Sequence, residues 1–390
     1  MKKPGDGSSA LFVTPELPYP AIGGGALRSS SILEYLCRRY AVDVVAFAEC
    51  ADAVFVPGAR RLFVLKLPRH SRAPHARAWR NLSRYVRGAP PLVDRFSGFD
   101  QDLQRALQGR RYEVAVVEHL WCAPYAPILR SRARRLVIDL HNIESELQAR
   151  IATAEKWPVS MIFRRFAARY RRAEREYLPA FDDVLVPSAE DARRLAEICR
   201  ATAYPNAIPL RAAPDCAEEH AIAFSGNLEY HPNVAAVRFF AAGIWPRIRA
   251  RRPDLEWRLI GMNPQAVEKI VKGVDGVRII GPVGDAIAAL ARAKVVVAPL
   301  LSGSGTRFKI LEAWAAGRAV VSTTIGAEGL CAKDGESLFI ADDPEKFADV
   351  VIRLIDSPAE RRRVGACGRG VYLERYTTEA AWRELERVNL

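Results

Sequence analysis

Short apolar runs rich in Val, Ile and Leu recur along this chain, each followed by a longer stretch with helical spacing, and the series starts twice. A run that is apolar at every position must be buried on both faces, the condition of a parallel sheet covered by helices. The first series predicts strands at 10–13, 42–47, 62–65, 114–117, 136–139 and 184–186, with helical candidates at 27–39 and 164–177. The second predicts strands at 221–225, 257–260, 277–280, 294–298, 319–322 and 338–340. A chain of 390 residues is too long for one ordinary core and suits two domains of roughly 150–200 residues. The expected fold class is therefore α/β, with two Rossmann-like doubly wound domains. The break falls at Tyr204-Pro205-Asn206-Ala207-Ile208-Pro209, where prolines and a turn-prone asparagine interrupt the pattern.

Composition narrows the setting. Hydrophobic residues at 49% and charged residues at 26% exclude wholesale disorder. No apolar run reaches the roughly 18 residues a transmembrane helix needs. Two lysines open the chain, but Leu11-Phe12-Val13 runs straight into Thr14-Pro15, so this reads as a first core strand and not as a signal peptide. Seven cysteines without a Cys-x-x-Cys pair form neither a disulfide framework nor a metal cluster, and a reducing cytosol is the expected compartment. A net charge of +13, with a sequence pI near 9.6, favours an anionic partner: nucleic acid, an anionic membrane face or a phosphorylated substrate.

Ligands of open parallel sheets sit beyond the carboxyl ends of the strands, and there the most informative segment lies. Residues 294–298 lead into Gly303-Ser304-Gly305-Thr306-Arg307-Phe308-Lys309 and a helix expected to start near Thr306 and to end at Gly317. Glycines allow close backbone approach, and the first helical amides point outward, a geometry suited to phosphate. Arg307 and Lys309 in the first turn oppose the helix dipole unless an anion is present. Glu312 is expected two turns in, within reach of ligand hydroxyls, with Phe308, Leu311 and Ala315 as the buried face. A plainer reading also fits: a tight turn capped by Thr306, with Lys309 and Glu312 as a surface pair.

The longer pattern Gly-Ser-Gly-Thr-Arg-x-Lys-x-x-Glu-Ala-x-Ala-x-Gly, followed by Val-Val-Ser-Thr and by Gly326-Ala327-Glu328-Gly329, resembles the donor-binding signature of family 4 (group 1) retaining glycosyltransferases. It is most similar to the branch associated with bacterial surface polysaccharide (exopolysaccharide) biosynthesis. Phe224-Ser225-Gly226-Asn227 through Asn233 resembles that branch's first donor loop, and Gly23-Gly24-Gly25 after Pro15 to Pro20 resembles the family's glycine loop. The resemblance implies the GT-B fold, two Rossmann-like domains facing each other across a cleft. The N-terminal, acceptor-side domain would span 1–205, the donor domain 206–375, and a helix at 376–390 would pack back onto the first.

It further implies donor contacts from Gly24, Gly25, Gly226, Asn227, Gly303, Ser304, Gly305, Thr306 and Glu312, the last on the ribose hydroxyls. Many relatives carry a second glutamate where Ser304 stands and an Arg and Lys where Asn227 and Asn233 stand, so charge for the diphosphate must come from Arg307 and Lys309, with Arg28 a further candidate. Two histidines follow consecutive predicted strands, His119 after Glu118 and His141 after Leu140. By resemblance His119 stands at the transferred sugar, while His141 and Glu144 line the acceptor side; Glu118 is an alternative acceptor carboxylate. No metal-binding motif is evident, so no metal and no cofactor are expected.

Two segments carry the excess positive charge, 69–87 with interleaved aromatics and the helix around 164–175. They read either as solvated faces, with Glu174 and Glu176 pairing locally, or as a dock for an anionic membrane. No recognition motif supports nucleic acid. The expected protein is thus a cytoplasmic transferase, peripheral on the inner face of the plasma membrane, that moves a sugar from a nucleotide-sugar donor to a lipid-linked or growing glycan acceptor. A non-catalytic nucleotide- or sugar-binding subunit and a nucleotide-sugar 2-epimerase are the alternatives.

Overall fold

The computed structural model describes residues 8–21, 23–49, 55–69, 73, 79, 83–84, 86–88, 90–302 and 307–390. The chain divides into two compact units, Met1–Tyr204 with Trp382–Leu390, and Pro205–Ala381.

The first unit holds a seven-stranded sheet: β1 (Ser9–Thr14), β2 (Ala41–Ala48), β3 (Arg61–Lys66), β4 (Tyr112–Glu118), β5 (Ala133–Asp139), β6 (Asp183–Val186) and β7 (Ala201–Ala203). Their order is β3-β2-β1-β4-β5-β6-β7 and every pairing is parallel. The second unit holds β8 (Glu219–Ser225), β9 (Glu256–Ile260), β10 (Val277–Ile280), β11 (Ala293–Ala298), β12 (Ala319–Ser322) and β13 (Phe339–Ile340), in the order β10-β9-β8-β11-β12-β13, again all parallel. The central strands are the apolar runs read from sequence, and their apolar residues are buried.

Each sheet reverses its winding once, between β1 and β4 in the first unit and between β8 and β11 in the second. A crevice opens at such a switch point, beyond the carboxyl ends of the two flanking strands. At the chain's end, the Trp382 indole N–H donates to Ser31 O at 3.1 Å and its ring meets Tyr35 edge-on at 5.8 Å, which fastens the last residues to the first unit. Among the described residues no helix is long and apolar enough to cross a membrane.

Candidate functional site

The first unit's switch point is lined by the glycine turn after β1 and by the segments after β4 and β5. Gly23, at φ 90°, leads into the helix Gly24–Cys37, and Gly25 lies so close to His141 that a Cβ there would sit 3.7 Å from Nδ1. His119 directly follows β4 in the left-handed region, φ 63°, while its N–H still bonds Asp139 O at 2.8 Å. Such a conformation costs a non-glycine residue about 1 kcal/mol or more and persists only where its surroundings impose it. Here aromatic packing does so: the His119 ring lies between Trp121, 4.1 Å away and nearly coplanar at 9°, and His141 at 3.7 Å. Trp121 in turn stacks on Phe96.

Beneath this stack is a network of buried charges. Arg28 grips Asp139 through Nε (2.7 Å) and Nη2 (2.5 Å) and donates to Tyr204 O through Nη1. His141 Nε2 lies 2.6 Å from Glu118 Oε2 and 3.3 Å from Asp139 Oδ2, and Ser29 Oγ donates to the same Glu118 oxygen. Burial alone would discharge His141, but Glu118 and Asp139 outweigh it and lift its pKa to about 9. His119 is driven the other way, well below the usual histidine value, by burial and then by the positive charge of His141 and Arg28. The neighbouring imidazoles therefore divide their roles, one held charged and the other neutral. Glu144, which opens the helix Glu144–Ala154, is pushed up to about 7 by burial and by Glu174. Ligand atoms of Glu118, His119 and His141 lie within 4.8 Å of one another, and these three residues could hold a metal ion.

The second unit's switch point is built from the turns after β8 and β9 and the helix Phe308–Ala315. The two turns are in direct contact: a Cβ on Gly261 would come within 1.7 Å of Gly226 O. Lys309 Nζ donates to Asn233 Oδ1 at 2.9 Å, and Asn233 Nδ2 donates to Asn227 O at 2.7 Å, which fixes the amide's orientation. Asn227 Oδ1 accepts from Glu229 N and from Asn263 Nδ2. The Lys309 ammonium sits 4.8 Å from the Phe224 ring centroid. Ser225 Oγ donates to Glu312 Oε2 at 3.3 Å. Burial, reinforced by Arg307, lowers Lys309 to about 8; burial raises Glu312 to about 7 against the opposing pull of Lys309.

Gly226, Asn227, Lys309 and Glu312 thus converge, with Arg307 one residue before the helix, while Gly24, Gly25, His119, His141 and Glu144 gather in the first unit. Gly303, Ser304, Gly305 and Thr306 lie outside the described residues. Several expectations are corrected. The helix starts at Phe308 and not near Thr306, because Arg307 has extended backbone (φ −88°, ψ 101°) and its carbonyl is the first acceptor, for Ile310 N and Leu311 N. Arg307 therefore precedes the first turn, and Glu312 stands one turn in, not two. Phe308 is only partly buried; Lys309, Ile310, Leu311, Ala313, Trp314 and Ala315 are buried, so the helix is enclosed on most sides and Lys309 with Glu312 is no surface pair. Arg28 is unsuited to a diphosphate because its guanidinium is committed to Asp139 and Tyr204 O. Sequence reasoning missed Asp139, Ser29, Trp121 and Asn263. The first and third stand in the segments that flagged the histidines, but nothing in one dimension pairs Asp139 with Arg28.

Three comparisons bear on this architecture. Residues 219–357 match the family model of group 1 glycosyl transferases. An uncharacterized 44.6 kDa protein from the cps region of Klebsiella pneumoniae is 29% identical over 139 residues, 34% of this chain and 36% of that one, so the match spans about a third of the curated relative. Among solved structures, a sucrose-phosphate synthase from Thermosynechococcus elongatus superposes with a TM-score of 0.72 at 16% identity, covering 98% of each chain. TarM of S. aureus, in complex with fondaparinux, α-GlcNAc-glycerol and UDP, gives 0.69 at 10% identity, over 98% of this chain and 99% of that one. Anabaena HepE with UDP and glucose gives 0.66 at 14%, over 98% and 99%. The second unit thus matches the group 1 glycosyl transferase model through residues 219–357, and the whole chain has the GT-B fold.

Proposed function

We propose that this protein is a retaining, metal-independent glycosyltransferase of surface polysaccharide assembly, using a nucleotide-sugar donor and a lipid-linked or growing glycan acceptor. The observation that carries the reading is Lys309: a buried ammonium whose hydrogen-bond partner is the neutral Asn233 amide, with Arg307 adding further positive potential. A buried charge opposed only by Glu312, whose own carboxyl burial pushes up to about 7, is costly, and a bound diphosphate removes that cost. Glu312, one turn further along the helix, takes the ribose hydroxyls. With its carboxyl pushed up to about 7 by burial, Glu312 can donate or accept near neutral pH.

His119, kept neutral, is assigned to the transferred sugar, where an uncharged N–H hydrogen-bonds a hydroxyl without opposing the positive charge that develops at the anomeric carbon. His141 and Glu144 are assigned to the acceptor side. The departing diphosphate assists deprotonation of the acceptor hydroxyl on the same face, and Lys309 and Arg307 stabilise the charge it gains. Catalysis then rests on positioning and electrostatics. The Klebsiella relative's cps region supports the polysaccharide assignment, and the UDP complexes of HepE and TarM make uridine nucleotide sugars the first donors to try.

A thermal-shift screen against nucleotide sugars tests the donor reading, since a ligand at 100 times its dissociation constant adds about 2.7 kcal/mol. No shift with any nucleotide or nucleotide sugar would overturn it. Donor hydrolysis separates an enzyme from a binding subunit, and the anomeric configuration of the product, read by NMR, tests retention. Activity that survives EDTA supports metal independence; loss restored by a divalent cation would instead assign Glu118, His119 and His141 as ligands.

A further inference from the structure

The helix Val159–Tyr177 belongs to the first unit and takes no part in the machinery proposed above. Its inner face is set by Ser160, Ala167, Tyr170, Ala173 and Glu174, all buried. The outer face has two parts. At its beginning Trp157 is 80% exposed, Met161 51%, Ile162 41% and Val159 40%, an apolar group with no packing partner that would justify it. Further along, Arg164, Arg171, Arg172 and Arg175 are exposed on the same side.

Local neutralisation, the plain explanation for such a helix, is slight among the described residues, with Glu176 exposed beside Arg175. Glu174 is turned inward at 2% exposure, accepting from Ser145 N and Ser145 Oγ. Arg171 reaches Glu146 only at 3.7 Å, and Arg164, Arg172 and Arg175 make no ion pair among the described residues. The end of the second basic segment lies beside it: Gly88 approaches the Arg169 guanidinium so closely that a Cβ would lie 2.4 Å from Cζ, the neighbouring Val86 is exposed, and Arg84 and Arg87 there pair with Asp94.

We propose that this face, with Trp157 at its leading end, docks the protein on an anionic lipid bilayer. A helix of 19 residues is about 28 Å long and can lie in the interface plane, its aromatic and aliphatic end entering the headgroup boundary and its arginines meeting lipid phosphates. An acidic protein surface would satisfy the arginines but gives no reason for four exposed apolar side chains at one end. The inference stands on this surface alone and survives failure of the transferase reading.

Vesicle sedimentation of the full chain tests it. Wild-type protein should partition onto phosphatidylglycerol-containing vesicles, weakly onto pure phosphatidylcholine, and less as salt rises. Because each basic residue near the surface is worth roughly fivefold in partitioning, the triple change Arg164→Gln, Arg172→Gln, Arg175→Gln should lower binding on the order of a hundredfold. The pair Trp157→Ser, Met161→Ser should also weaken binding while preserving its salt dependence, and wild-type tryptophan emission should shift to the blue on vesicles. Both variants should keep the wild-type melting temperature and thermal response to nucleotide sugars, which separates loss of docking from loss of fold or donor site. Equal partition of wild type onto both vesicle types, or wild-type binding by both variants, overturns the proposal. Binding to polyglutamate but not to vesicles would assign the face to an acidic polypeptide instead.

Discussion

The two switch points occupy the same position in their sheets yet treat buried charge in opposite ways. In the first unit the buried ions beneath the His119 stack face counter-ions: Arg28 with Asp139, His141 with Glu118 and Asp139. In the second, a buried lysine faces an amide and a phenyl ring, with an arginine close by and Glu312, its carboxyl pushed up to about 7 by burial, as a partial counter-charge. A self-neutralised network is rigid and complete without ligand. An unbalanced one is complete only when an anion arrives. On the proposed reading the first works as a scaffold that orients His119 and His141, and the second as a receptor.

The largest expected effect tests the scaffold. Asp139→Ala strands the Arg28 guanidinium in the interior, and breaking one side of a buried pair costs about 3–5 kcal/mol. Urea unfolding of the variant should show that loss. Lys309→Met, by contrast, removes a charge that the fold does not need, so stability should hold or rise slightly while affinity for a nucleoside diphosphate falls by about 10- to 100-fold, the effect of losing a charge-assisted contact of roughly 1.5–3 kcal/mol. Equal destabilisation by the two substitutions would erase the distinction. Calorimetric titration with UDP and urea midpoints measured side by side decide it.

The pH dependences should run in opposite directions. The folded pKa of His141 is raised from 6.5 to about 9, so its contribution is fully present below pH 6.5 and is lost as pH climbs through 9. Lys309 is depressed from 10.5 to about 8, so the penalty of burying its charge is full below pH 8 and fades between 8 and 10.5. Urea midpoints between pH 6.5 and 9 should fall on account of His141, with a slope that His141→Gln flattens, by an amount on the order of 3 kcal/mol. Diphosphate binding favours the charged lysine, so affinity should decline above pH 8 and binding should take up protons there. Titrations in buffers of different ionisation enthalpy read that uptake, which Lys309→Met should abolish.

The contrast was only partly legible in the sequence. Uniform apolar runs revealed the strands because both faces of a parallel sheet are buried, whereas Ala201–Ala203 escaped because three small residues at a sheet edge carry no such run. Lys309, Glu312, Gly226 and Asn227 were found because one contiguous motif and one loop carry them. The scaffold was misread. From sequence Arg28 reads as one candidate for the diphosphate and Glu174, on one of two readings, as a local surface partner, since each has its partner on a different element: Asp139 lies 111 positions from Arg28, and Ser145 lies 29 from Glu174. Charge balance is a property of packing, and a sequence shows only the charges to be balanced.

A final, smaller effect tests whether the missing anion itself distinguishes the two regions. Asn233→Asp keeps the shape of the Asn233 side chain, and its carboxylate would meet Lys309 Nζ where Oδ1 stands now, 2.9 Å away. The receptor would then resemble the scaffold, with cation and anion paired before ligand arrives. Two consequences follow from that pairing. The Lys309 pKa should climb from about 8 back toward the ordinary lysine range, which removes the proton uptake near pH 8.5 or so. The new carboxylate should also compete with the diphosphate, lowering UDP affinity by roughly tenfold, about 1.4 kcal/mol. Because Asn233 Nδ2 also bonds Asn227 O, the carboxylate loses one donor, and Asn233→Ala is the necessary control: it loses the same bond but supplies no anion. If Asn233→Ala and Asn233→Asp weaken UDP binding equally and both retain the proton uptake, loop geometry governs the site and not its charge imbalance. If only Asn233→Asp abolishes the uptake, the unpaired lysine is what makes the second switch point a receptor.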